Sequence, residues 1–122
     1  MGLNMLIYRK PKDVVMIDVS TEYSKSLTFF GPDEKLLDIF TKLGTSVGEY
    51  ITFNEEQFRN LVTLCQSIDD GTVEEKADYT KRYSNETMLE FYQRWNRIIN
   101  SLKTVLYRLD WDTEHALVYI SA

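Results

Sequence analysis

Asp110, Asp112, Glu114 and His115 place three carboxylates and the chain's single histidine within six consecutive positions. Alternating oxygen donors beside an imidazole are the residue types that hold a divalent cation. The cluster also falls between an expected helix end and an expected strand, where polar residues belong on solubility grounds alone. We read it as a solvated turn, with a metal site at Asp110, Asp112, Glu114 and His115 as the alternative. A second group, Asp69, Asp70, Glu74 and Glu75, lacks the alternating ligands of a calcium loop, because Gly71 follows the first two acids directly. A closed zinc site needs several Cys or His ligands, and the chain has one of each. No metal and no cofactor is expected.

The nucleophilic options are thin. Cys65 and His115 could form a dyad in principle. Cys65, however, lies on an apolar helical stripe, which predicts a small core residue with an inert thiol. Glu49 and Glu55 are the carboxylates closest to an acid–base pair, with only their nearness in sequence to support the idea. No glycine-rich phosphate loop and no Gly-x-Ser-x-Gly elbow occurs. Arg94, Arg97, Lys103 and Arg108, with Lys81, Arg82, Tyr79 and Tyr83, could make a basic strip for nucleic acid. The solvated face of a long helix explains the same residues, and the overall charge opposes a nucleic-acid partner.

The elements that must position these residues follow from periodicity. "LNMLIYR" reads as an N-terminal strand, and "VVMIDVS" as a second that pairs with it as a hairpin across Lys10–Asp13. "SLTFF" is a third short strand. Gly31-Pro32-Asp33 starts a helix whose stripe is Leu36, Phe40 and Leu43, widened by Leu37 and Ile39, and Gly44 terminates it. In "VGEYITFNEEQF" the first half is strand-forming and the second is a helix start. Asn54 is the N-cap, with Gln57 at the capping-box position. Gly48 relieves the backbone before the strand, and Tyr50 is expected to be largely buried. Phe58, Leu61, Val62, Cys65 and Ile68 form the apolar face of that helix. From Asn85 to about Leu109, Met88, Tyr92, Trp95, Ile99, Leu102, Leu106 and Leu109 form one row with Phe91, Ile98 and Val105 beside it. This predicts a long central helix. "ALVYIS" is a final strand. The expected fold is α+β: a small mixed or antiparallel sheet with about three helices mainly on one face. It makes a single domain carrying a charged loop at about 69–84.

With 122 residues, 43% apolar and 27% charged, the chain is long enough for one core without staples. One cysteine excludes an internal disulfide, so a reducing cytoplasm is expected. No signal-like segment and no apolar run near about 18 residues occurs, so no membrane is expected. The net charge of −5 repels phosphate backbones and anionic lipids, and it favours a partner with a basic surface.

Three stretches carry a resemblance: the opening "MGLNMLIYRK", the middle "GEYITFNEEQFRNLVTLCQ", and the close "INSLKTVLYRL" followed by "HALVYIS". Together they resemble a group of small, mostly uncharacterised bacteriophage and prophage proteins. These open Met-Gly-Leu-Asp-Met and carry a central Gly-Glu-Tyr strand followed by a helix ending Leu-x-x-Cys. Here Asn4 replaces the Asp, and the interval between the first two signatures is shorter. The resemblance covers about half the chain and implies a phage origin and an accessory role in the cytoplasm of an infected bacterium. The expected function is to bind and modulate, by inhibition, a host protein such as a defence factor. The alternative is a small carboxylate-dependent enzyme acting on a nucleotide or similar molecule. The expected partner surface is the acidic loop, Asp69, Asp70, Glu74 and Glu75, with Tyr79 and Tyr83 as aromatic anchors.

Overall fold

A computed structural model of the chain describes residues 4–15, 26–31, 33–69 and 88–121. Strand β1 (Asn4–Pro11) runs first, then β2 (Thr28–Phe30), helix α1 (Glu34–Lys42), β3 (Tyr50–Phe53), α2 (Glu55–Asp69), α3 (Met88–Arg108) and β4 (Glu114–Ser121). The strands form one four-stranded sheet in the order β2-β1-β4-β3, and all three strand pairs are antiparallel. The fold is α+β, as the periodicities predict.

The hairpin expected between β1 and "VVMIDVS" is replaced by other pairings. β1 does not stop before Lys10. It continues to Pro11 and pairs along its whole length with β4, from Asn4 opposite Ser121 to Pro11 opposite Glu114. β2 takes the other side of β1, with Met5 opposite Phe30 and Ile7 opposite Thr28. Val14 and Val15 lie past the turn, in no strand, and Val15 is 94% exposed. Residues 16–20 lie outside the described residues. The physical reason is burial. Pairing with β4 sets Met5 and Ile7 in one layer with Val118 and Ile120, all fully buried, and with β2 on its other side β1 has no edge left for a local hairpin.

The strand period of two assigns the side chains to faces. Met5 and Ile7 of β1, Phe30 of β2, Ile51 and Phe53 of β3 and Ala116, Val118 and Ile120 of β4 point to the helices. Against them pack Leu36, Ile39 and Phe40 of α1, Phe58, Leu61, Val62 and Cys65 of α2, and the double row from Phe91 to Leu109 that begins on α3. All three described helices therefore share one face of the sheet. Leu6, Tyr8 and Leu117 form a smaller buried cluster on the opposite face, with Tyr119 against it.

Local chemistry sets the ends of the helices. Asp33 caps α1, its Oδ1 accepting the Leu36 N–H at 3.0 Å. Gly44, at φ +100°, follows α1 in the left-handed region that a side chain would strain. Asn54 and Gln57 form a reciprocal capping box on α2. The Gln57 N–H donates to Asn54 Oδ1 at 2.8 Å, and the Asn54 N–H donates to Gln57 Oε1 at 2.9 Å. Among the described residues no helix is long and apolar enough to cross a membrane.

Candidate functional site

The turn between α3 and β4 holds the residues of the metal alternative, and their hydrogen bonds account for most of them. Asp110 Oδ1 accepts the Asp112 N–H at 3.1 Å, and the Asp110 carbonyl accepts the N–H groups of Thr113 and Glu114. Glu114 reaches back, its Oε1 accepting the Asp110 N–H at 3.0 Å. Its Oε2 lies 3.2 Å from Arg9 Nε, an ion pair that fastens the start of β4 to β1. Glu114 and His115 are consecutive in a strand and so project to opposite faces. The four residues therefore do not converge on a point. Among the described residues no three His, Cys, Asp or Glu side chains come together to hold a metal ion.

The other catalytic pairings separate as well. Cys65 is fully buried in the helix layer, and burial pushes its thiol pKa up to about 12. It is neutral and closed to substrate, which ends the Cys65–His115 dyad. Glu49 precedes β3 and Glu55 follows it, so a strand of about 13 Å stands between them. Glu55 is moreover bound to Arg59 at 2.9 Å. Of the basic strip, Lys103 lies nine residues beyond Arg94, half a turn round the helix, and Arg94 is paired with Asp33.

What the fold does bring together is a polar cleft of about 540 Å³ where β3 runs into α2. Its walls include Lys12 from the turn after β1, Glu55, Glu56 and Asn60 from α2, Trp111 from the α3–β4 turn and His115 from β4. Trp111 is anchored. Its indole N–H donates to the Leu106 carbonyl at 2.8 Å, and its ring sits 5.8 Å from that of Phe58. His115 is held below its ordinary pKa, first by partial burial and then by the charges of Lys12 and Lys10. It enters this cleft neutral at pH 7. His115 is the one member of the metal alternative that faces it; Glu55, Glu56 and Lys12 join from elements far apart in sequence.

A second feature lies at the β3 edge of the sheet. Tyr50 was expected inside, yet it is 41% exposed. The alternation that turns Ile51 and Phe53 to the core must turn Tyr50 and Thr52 away from it. Tyr50 pairs with Tyr119 across β3 and β4, with ring centroids 5.1 Å apart. Gly48, at φ +79°, donates its N–H to the Ile120 carbonyl at 2.7 Å and turns the chain so that Val47 and Glu49 flank the pair on the surface. The sheet register extends this row across all four strands, as Phe29, Leu6, Tyr119 and Tyr50. Strand propensity identified Tyr50 as a β residue; its outward direction depends on which neighbours take the core positions.

The expected partner surface falls largely elsewhere. Asp69 is the last residue of α2, and Asp70, Glu74, Glu75, Tyr79 and Tyr83 lie outside the described residues. In comparison with known proteins, the chain matches no family model, no curated sequence and no solved structure.

Proposed function

We propose that this protein is a phage-encoded accessory factor that binds a host protein and modulates it by inhibition, and that the aromatic edge around Tyr50 and Tyr119 belongs to its partner surface. The observation that carries the reading is exposed Tyr50, backed by half-buried Tyr119. Tyr50 on the terminal strand β3 meets Tyr119 of β4 with ring centroids 5.1 Å apart, and Val47 and Glu49, near it in the chain, are exposed. Tyrosines of this kind supply rigid amphipathic area to an interface. A terminal strand also offers main-chain groups to an added strand. Phage origin and a bacterial cytoplasm rest on the resemblance in the opening, middle and closing stretches. A partner with a basic surface rests on the net charge of −5. The acidic residues Asp69, Asp70, Glu74 and Glu75 with Tyr79 and Tyr83 remain the second part of the proposed surface.

The test is affinity capture from bacterial lysate with mass-spectrometric identification, using the parent and Tyr50→Ser. The partner is expected to be retained by the parent and lost or weakened about tenfold or more with Tyr50→Ser, in line with a central aromatic anchor. Equal retention by both proteins overturns the assignment of this edge. A charge swap of Asp69, Asp70, Glu74 and Glu75 to Lys tests the acidic part in the same assay, through the salt dependence of binding.

The second reading is a small carboxylate-dependent enzyme acting on a nucleotide or similar molecule. The cleft where Glu56, Lys12, Trp111 and neutral His115 meet favours it. Glu56 or His115 would move the proton, and Trp111 would stack on a ring. Turnover in a nucleotide screen that is abolished by both Glu56→Gln and His115→Gln would put this reading first.

A further inference from the structure

At the end of the sheet away from β3, a separate cleft of about 410 Å³ opens between β2 and α3, within the size range of small-molecule sites. Arg94, Arg97, Ile98 and Ser101 are spaced i, i+3, i+4 and i+7, so one side of α3 forms a wall. Phe29, 50% exposed, and Gly31 form the facing rim. A Cβ built on Gly31 would meet nothing within 4 Å, so the mouth is open there.

The charges in this cleft do not cancel. Asp33 is committed twice, its Oδ1 to the Leu36 N–H and its Oδ2 to Arg94. Arg94 is further fixed over the Phe91 ring at 5.4 Å. That pair is neutral as a unit. Arg97 then leaves the cleft one positive charge in excess, two guanidinium groups against one carboxylate, in a chain whose net charge is −5. Among the described residues no hydrogen bond or ion pair engages the Arg97 guanidinium or the Ser101 hydroxyl. The cleft thus combines an apolar wall, one uncommitted planar cation and one uncommitted hydroxyl.

We propose that this cleft binds an organic carboxylate with a flat apolar body, the body lying between the Phe29–Gly31 edge and Ile98 of α3 and the carboxylate meeting Arg97 and Ser101. Guanidinium matches carboxylate geometry through two parallel N–H donors. The Asp33–Arg94 pair keeps a second free cation from the site, so a singly charged head fits better than a dianion. This chemistry could come from a free aromatic acid or from the C-terminal residue of a peptide. The site is independent of the surface around Tyr50, at the other end of the sheet.

The experiment is an NMR titration of the whole protein with phenylacetate, and with phenylacetamide as its uncharged counterpart. Phenylacetate is expected to give saturable shifts at the amides of Phe29, Gly31, Ile98 and Ser101, and to bind at least about tenfold more tightly than the amide. Arg97→Gln is expected to remove that tenfold preference while leaving the fold intact, since the side chain is exposed. Gly31→Leu fills the mouth and is expected to weaken both ligands. A tetrapeptide ending in Phe, with a free or an amidated carboxyl, separates the sources: tighter binding of the free peptide acid assigns a chain terminus, and tighter binding of phenylacetate a small acid. The proposal is overturned if neither acid gives saturable shifts at these amides. It is equally overturned if acid and amide bind alike, or if Arg97→Gln leaves the preference unchanged.

Discussion

The indole N–H of Trp95 donates a 2.8 Å hydrogen bond to the backbone carbonyl of Cys65, joining α3 to α2 in the interior of the helix layer. Trp95 is fully buried, and its ring is nearly parallel to that of Phe91, 6.1 Å away. A buried indole needs such a partner, because an unmet N–H carries its full desolvation penalty. The bond therefore selects one packing of the long helix on its neighbour.

Trp95→Phe is expected to destabilise the protein by about 2 kcal/mol, from the lost hydrogen bond and the vacated volume. The check is urea unfolding followed by circular dichroism. The midpoint should fall with an unchanged slope, since the surface exposed on unfolding stays the same.

Asn54→Ala removes the acceptor of the Gln57 N–H at the start of α2. The expected cost is about 1 kcal/mol, the usual value of an N-cap. Unchanged stability in the same unfolding assay would mean that the capping box contributes nothing to the helix.

Cys65 is expected to resist thiol reagents in the folded protein. Its pKa is pushed to about 12 by burial, so the reactive thiolate is scarce at pH 8, and no surface of the side chain is open. A chromogenic disulfide reagent should label one thiol per chain in denaturant and none on the same timescale without it.

His115, the only histidine, gives one ring resonance to follow. Its titration midpoint is expected below the ordinary value of 6.5, owing to burial and then to Lys12 and Lys10. Lys12→Gln and added salt should both raise the midpoint. The sign for stability follows. The unfolded chain holds more protons than the folded one between the depressed midpoint and 6.5, so His115's contribution is complete above that window and declines as pH falls through it. His115→Gln should flatten that part of the stability curve.

The positions of α1, α2 and α3 were legible because each signal acts over a few residues. An Asn three positions before a Gln, or apolar residues at steps of three and four, determine cap and face locally. The same stripes named most of the core, from Leu36 to Leu109, and Cys65 with it. The direction of Tyr50 was missed because propensity is blind to direction: the same β residue points in or out according to its register. The hairpin expected across Lys10–Asp13 is absent, because a proline turn is only a local cue and β1 is paired on both sides. The true partner of β1 is β4, whose Ser121 stands opposite Asn4 from the far end of the chain.

The sequence by itself therefore determined the class of the fold, the cap of α2 at Asn54 and the inert cysteine, all set by the chain's own period and capping chemistry. Only the tertiary structure decided the strand order, and with it the groups that could act together. The Arg94–Asp33 pair spans 61 positions, and the Arg9–Glu114 pair joins the first strand to the last. Lys12 meets Glu56 and His115 in one cleft, and Arg97, with no ion pair among the described residues, lines another. Such meetings depend on which apolar faces bury one another, a property of the whole chain that no short window contains.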